Sequence, residues 1–265
     1  MVSSASSAPS PDAPDPDSLA PLLDATARAE HDHFWFRGFR RFVRPLLHQA
    51  LADCERPQIL DCGCGTGANL EMLAALGDAY GFDREWTGVT RAVEAGRHAC
   101  QGTVAALPFP DARFDLLTSF DVLYCLETPV EQAAVSEMFR VVRPGGHVVI
   151  NVAAMPILTG NHSVLGHELR RYTAPSMRRL LSGAGFSVER LTYTNASMLP
   201  ILLPLRLAQR AKGLAKEEDA TGEITVPPRP VNYLLAQVLA LEAALVRWVD
   251  MPCGSSLLAL ARRPG

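Results

Sequence analysis

The stretch that most constrains this chain is Ile59–Ala68, ILDCGCGTGA. A short β-rich run, Gln58–Cys62, enters a loop with glycines at 63, 65 and 67, and apolar periodicity predicts a helix over Ala68–Leu76. Glycines at a strand-to-helix turn let the backbone approach a ligand closely and permit positive φ. Two ligand spacings overlap here. G-x-G-x-x-A suits a dinucleotide, and D-x-G-x-G-x-G suits a different nucleoside cofactor. Either one calls for strands alternating with helices.

Charge separates the two ligands. Asp61 stands at the strand end just before Gly63, where a dinucleotide would place its pyrophosphate. Like charges there cost about 4 kcal/mol for unit charges roughly 4 Å apart at an effective dielectric near ~20. The same carboxylate suits a ligand that brings an ammonium group, as S-adenosylmethionine (SAM) does, with a sulfonium as its second positive charge. Asp83, at the end of the next predicted strand (79–83), is placed for ribose hydroxyls, which supports a nucleoside without choosing which. An NAD(P)-dependent oxidoreductase and a SAM-binding protein without a methyl acceptor stay open as alternatives.

Beyond the loop, the pattern predicts helices over Thr87–Ala99, Val130–Val142 and Ala174–Ala184. Strands are predicted over 101–104, 114–120, 147–152, 186–194 and 255–263. The fold class is therefore α/β, a doubly wound, Rossmann-like, mostly parallel sheet whose last strand enters antiparallel. Residues 1–18, rich in Ser, Pro, Ala and Asp, read as a disordered leader without the features of a signal peptide. An N-terminal helical cap (19–56), a SAM-binding core (57–194), an insertion or lid (195–254) and a final core strand (255–265) follow.

Composition narrows the partners. Six cysteines without C-x-x-C-like spacing argue against zinc and for a reducing cytoplasm. The formal net charge of −3 gives no global pull toward nucleic acid, although 160–212 carries eight Lys/Arg against Glu168 and Glu189. No run is long and apolar enough to span a membrane. The hydrophobic-basic run 198–212 could touch a membrane surface, line an acceptor channel, or simply pack a lid.

Several ordered motifs resemble the class I SAM-dependent methyltransferases over about Ala50 to Tyr193: ILDCGCGTG, GFD (81–83), ALPFPDARFDLLTSFDVLYCL (106–126) and EMFRVVRPGGHVVI (137–150). The resemblance implies a seven-stranded sheet with SAM at Asp61, Gly63, Gly65 and Gly67. It also implies cofactor contacts at Asp83, Arg84 and Phe120, with Thr103 and Val104 beside the adenine. Where the family often places an adenine-binding acid, this chain has Thr103, whose hydroxyl can still accept, while the Val104 amide can reach the ring.

Two stretches outside the core stand out. In EHDHFWFRGFRRFVR (30–44), helical spacing puts Arg37, Arg40, Arg41 and Arg44 on one face, either solvated or closing over SAM with Arg37 or Arg40 on its carboxylate. HSVLGHELRRYT (162–173) follows the fifth strand and so lies near the ligand edge. Together with HFWFRG it resembles a methyltransferase subgroup with H-x-W-F-R-type and H-x4-H-x2-R-R-Y segments. His167 is the candidate general base, because His titrates near neutrality. His31, Trp35, Arg170, Arg171 and Tyr172 are candidates for binding a small or lipid-linked acceptor, the last three through a phosphate. A surface patch at a helix N-terminus is the alternative for those three.

Overall fold

A computed structural model describes residues 20–214 and 225–265; the expected leader, 1–18, lies outside the described residues. Helices α1 (Ala20–Ala29) and α2 (Phe34–Ala50) precede the sheet. Then come β1 (Gln58–Cys62), α3 (Ala68–Ala74), β2 (Asp78–Asp83), α4 (Trp86–Glu94), β3 (His98–Gln101) and β4 (Phe114–Phe120). They are followed by α5 (Thr128–Val141), β5 (Val142–Ala153), the short α6 (Asn161–Leu165), α7 (Ala174–Gly183) and β6 (Ser187–Thr194). Helices α8 (Leu199–Lys212) and α9 (Arg229–Val246) lead into β7 (Ser256–Arg262).

The seven strands lie in the order β3-β2-β1-β4-β5-β7-β6. The pairs from β3 to β5 are parallel, and β7 inserts between β5 and β6 antiparallel to both. This is the expected doubly wound sheet. Strand order reverses between β1 and β4, and that switch point opens a crevice at the carboxyl ends of the strands.

Alternating side chains feed two cores. Leu257, Ala259 and Ala261 of β7 face one way, toward Val135 and Met138 of α5 and Met177 and Leu181 of α7. Leu258 and Leu260 face the other, toward Phe42 and Leu46 of α2, Leu73 of α3 and Leu239 of α9. The apolar stripe of α2 (Phe42, Val43, Leu46, Leu47, Ala50) is what anchors the N-terminal helices to the sheet.

Local geometry corrects three boundaries. Helix α4 ends at Glu94, short of Ala99: Gly96 takes φ +75°, and the Arg97 amide closes the helix by donating to the Ala92 carbonyl (2.9 Å). The released residues His98–Gln101 pair with Tyr80–Asp83, so the strand predicted at 101–104 lies three residues earlier. Thr103 and Val104 therefore sit just past the strand end. Strand β5 begins at Val142 because Val142 already pairs with Phe114; the Arg143–Gly146 turn is taken up as a register shift before His147 meets Leu116.

Candidate active site

The glycine loop leaves β1 with Gly63, Gly65 and Gly67 at φ +82°, +51° and +85°. Side chains are excluded on two counts: φ itself, and a Cβ on Gly63 that would lie 2.2 Å from Val122 Cγ2. On the other side α4 approaches so closely that a Cβ on Gly88 would meet the Gly65 carbonyl at 2.9 Å. The Gly65 amide donates to Asp83 Oδ2 (2.8 Å), and the Glu85 amide donates to Asp83 Oδ1 (2.9 Å). Asp83 is thereby locked at the loop. Arg84 ion-pairs with the buried Glu85 (2.9 Å).

Asp61 decides the chemistry of this pocket. It is 1% exposed, and its Oδ1 accepts from the Thr118 hydroxyl (2.6 Å) on neighbouring β4. Its Oδ2 is buried without a hydrogen-bond partner. Burial, and then the nearby Asp83, push its pKa up to about 7 against the Thr118 hydrogen bond. A buried acceptor left open is costly unless a ligand completes it. An ammonium would do so, and a phosphate would not. A third carboxylate reinforces the sign: Glu30, at the end of α1, accepts from the Thr66 hydroxyl of the loop (2.9 Å). Burial raises its pKa too. The residues present fit SAM.

The N-terminal helices close over this loop. Leu23 Cδ2 lies 3.7 Å from the Cβ position of Gly65, and Asp24 ion-pairs with Arg91 of α4. Arg40 donates to the Glu30 carbonyl (2.8 Å) and Arg41 to the Ala236 carbonyl of α9 (3.0 Å), so two of the four arginines of α2 serve protein packing. Arg44 is exposed, and Arg37 is half-buried one turn into α2. Phe39 meets Phe120 at the end of β4 edge-on (5.0 Å between centroids), forming an apolar wall between cap and strand. Trp35 packs at the margin of the α2 core, whereas His31 is exposed. Thr103 is exposed, with its hydroxyl facing the Ala105 amide (3.4 Å).

Beyond the switch point the polar residues are mostly occupied by one another. Arg171 pairs with both oxygens of Glu168 (2.9 and 3.0 Å) and donates to the Ala154 carbonyl (3.0 Å); both charged side chains are buried. Arg170 holds Glu131 of α5 (2.9 Å) and the Leu126 carbonyl (2.7 Å). The buried Tyr172 hydroxyl donates to the same Glu131. Burial and Glu131 together raise the Tyr172 pKa well above the usual phenol range. These three side chains are neither a surface patch nor an open phosphate cradle.

One acid there is different. Asp121, just after β4, adopts φ +62°, an unusual conformation for a non-glycine residue. Its amide donates to the Asn151 carbonyl (3.0 Å), and its Oδ1 accepts from Asn151 Nδ2 (3.0 Å). Asp121 is exposed. The protein packed around its carboxyl, then Glu168, raise its pKa, opposed by Asn151 and Arg171. Nearby His167 is also left-handed, at φ +49°.

The comparisons with known proteins agree with this geometry. A family model described as a methyltransferase domain matches residues 60–150. A Mycolicibacterium smegmatis protein named "Probable S-adenosylmethionine-dependent methyltransferase" is 30% identical over 164 residues, covering 60% of this chain and 61% of that one. The demethylmenaquinone methyltransferase of Corynebacterium urealyticum is 30% identical over 184 residues, covering 63% of this chain and 73% of the relative. The chain belongs to the class I SAM-dependent methyltransferases. Among solved structures, the [4+2]-cyclase SpnF superposes with a TM-score of 0.62 at 19% identity, covering 94% of this chain and 93% of that one; it speaks for the fold alone.

The structure gathers Asp61, the three loop glycines, Asp83, Arg84 and Phe120 along one sheet edge. It sets Arg170, Arg171 and Tyr172 together after β5 but engages them internally. Sequence reasoning passed over Glu30, Thr118 and Asp121 as site residues. Asp121 had a signal, the F-D step at the end of a predicted strand, while Glu30 and Thr118 reach the loop only through tertiary contact.

Proposed function

We propose that the methyltransferase transfers the SAM methyl group to a hydroxyl or amine of a small or lipid-linked acceptor. The observation that carries this is Asp61, a buried carboxylate beside the glycine loop with one oxygen that no protein donor meets. Asp83 would hold the ribose, the loop amides and glycines the methionine portion, and α1 and α2 would keep water out. SAM supplies, when bound, a methyl group on a sulfonium already activated for in-line displacement. The chain's task is then alignment and proton removal. The demethylmenaquinone methyltransferase relative is in keeping with a small-molecule acceptor.

Asp121 is favoured over His167 as the group that takes the acceptor's proton. It directly follows Phe120 at the end of β4, its carboxylate is oriented by Asn151 Nδ2 (3.0 Å), and its pKa is raised toward the range in which a general base works. The two arginines once suited to an acceptor phosphate are neutralised by Glu131 and Glu168, so the net sign at Asp121 disfavours an anion at the reacting position. A proton-bearing nucleophile fits better than a carboxylate, which would need no base.

Radiolabelled methyl transfer from SAM into small-molecule and lipid extracts tests this. Asp121→Asn should bind SAM as the wild type does yet lose transfer by roughly 100-fold or more. His167→Ala should lose far less. Full transfer by Asp121→Asn would remove that role, and failure of the wild type to bind SAM would remove the methyl-transfer proposal itself.

A further inference from the structure

Buried oxygens that no protein donor meets gather at one edge of the sheet. Among the described residues five buried side-chain atoms lack a hydrogen-bond partner: Asp61 Oδ2, Ser119 Oγ, Asn151 Oδ1, Asn195 Oδ1 and Ser255 Oγ. All five stand where β1, β4, β5 and β6 end and the antiparallel β7 begins. Buried polar groups in folded proteins are paired about 90% of the time or more, so a row of open ones along a single edge points to ligands. Deeper in β6 the usual pairing returns, and Thr192 Oγ1 accepts from the Met251 amide (3.0 Å). Asp61 belongs to the cofactor half, and Ser119 stands on β4 between the halves. Asn151, Asn195 and Ser255 lie across β5, β6 and β7, and are only 3%, 5% and 7% exposed.

Protein contacts hold these three in place. Asn151 Nδ2 donates to Asp121 Oδ1 (3.0 Å). An ionised carboxylate only accepts, so this contact fixes the amide and leaves its carbonyl oxygen as the open atom. Asn195 Nδ2 donates to Ser256 Oγ (3.3 Å), and its φ of +62° is a left-handed conformation that asparagine tolerates. The next two amides, of Ala196 and Ser197, donate to Glu242 of α9 (2.8 and 2.9 Å). The Ser255 carbonyl accepts from the Ala154 amide (2.9 Å). Gly254 lies so close to β6 that a Cβ there would meet the Thr194 carbonyl oxygen at 2.2 Å. Asn151 pairs with Leu258, and Ser256 with Ala153 and Thr194, so Asn151 and Ser256 are diagonal neighbours on one face. Phe120 and Met198 pack into the core on that face, under α2 and α9.

We propose that Asn151, Asn195 and Ser255 receive the methyl acceptor, and that the acceptor is a hydroxyl-bearing ring compound offering them neutral O–H or N–H donors. This rests on the methyl-transfer reading and narrows it. Open carbonyl and hydroxyl oxygens call for donors. The charged groups touching the three or the residues beside them are the carboxylates of Asp121 and Glu242. No lysine or arginine among the described residues hydrogen-bonds to any of the three, so a phosphate or carboxylate would find no counter-charge on them. Asn151 and Asn195 stand on either side of β7, about 10 Å apart across two strand spacings. A ring can bridge that span with its apolar edge toward Phe120 and Met198, whereas a one-carbon or two-carbon fragment cannot.

The first test needs no turnover. Ser255→Ala removes an unanswered buried hydroxyl, so the variant should unfold at or above the wild-type Tm and bind SAM within about twofold of wild type. A Tm lowered by several degrees would give the hydroxyl a structural task and overturn the inference. Labelled methyl transfer from SAM into a serially diluted small-molecule and lipid extract then reads the acceptor. Asn195→Gly keeps the left-handed backbone and should raise the half-saturating extract concentration by roughly tenfold, with Ser255→Ala raising it roughly threefold. Plateau rates should move far less, as befits lost binding. Asn195→Asp still presents an oxygen to a donor and should stay within about threefold of wild type. An acceptor that is anionic there would suffer more from Asp than from Gly. Unchanged half-saturation in Asn195→Gly and Ser255→Ala, or an Asp variant worse than the Gly variant, overturns the inference alone. A wild type that binds SAM but methylates nothing in the extract removes the methyl-transfer reading, and this site with it.

Discussion

The two halves of the crevice solve opposite problems with the same residue types. On the donor side, Asp61 is buried with an oxygen left open, an arrangement that costs stability until a cation arrives. Beyond the switch point, Arg171 and Glu168 are buried and paired, and the half-buried Arg170 is held by the buried Glu131, which also accepts from Tyr172, so each charge is already answered by the protein. An open buried charge anticipates a ligand, whereas a closed one holds loops in place. The run after β5 thus serves as scaffold, and Glu168 and Arg171 lie close enough to Asp121 for both charges to act on it.

The most disruptive way to probe the contrast is Arg171→Ala. It leaves Glu168 buried and unpaired beside Asp121, and should destabilise the protein by about 3–5 kcal/mol in denaturant unfolding. SAM affinity of the folded fraction should stay within about twofold of wild type, because Arg171 plays no part at the loop. A stable variant with weakened acceptor use would instead make Arg171 a binding residue.

Gly63→Ala attacks the donor half. The positive φ and the Val122 contact should cost about 1–3 kcal/mol of stability. Calorimetry should show SAM binding weakened by roughly tenfold or more as the loop shifts. Normal affinity in this variant would mean that the loop does not approach the ligand closely.

The smallest change sharpens the weakest corner of the donor site. Thr103 is exposed, where the resemblance implies an adenine-binding acid. Thr103→Asp should leave stability within about ±0.5 kcal/mol and tighten SAM binding by roughly threefold, a gain of about 0.5–1 kcal/mol for one added hydrogen bond. No gain would place the adenine away from the end of β3.

How much of this was legible beforehand follows the same division. The sheet, its antiparallel last strand and the Asp61–Asp83 pair could be read because strand, glycine turn and strand-end acid lie close in sequence. Helix α4 was overextended because Gly96 closes it through a left-handed cap that apolar periodicity does not register. The role of Arg170, Arg171 and Tyr172 was hidden because Glu131 lies some forty residues away, on α5. Basic residues near a ligand edge look alike in sequence whether their partner is a substrate or a distant glutamate.

The most direct measurement is calorimetric titration of SAM into wild type and Asp61→Asn across about pH 5.5 to 7.5. The carboxylate must ionise to meet an ammonium, and burial holds its pKa near 7, above its unfolded value. Protonation therefore favours the ligand-free fold, and affinity should rise with pH through that range, by up to about tenfold per unit below the pKa. Asp61→Asn should bind roughly 100-fold more weakly, as expected for loss of a buried charge-assisted hydrogen bond, and without that rise. If Asp61→Asn binds SAM as tightly as the wild type, or if NAD binds the wild type more tightly than SAM, the open carboxylate is not the cofactor's anchor.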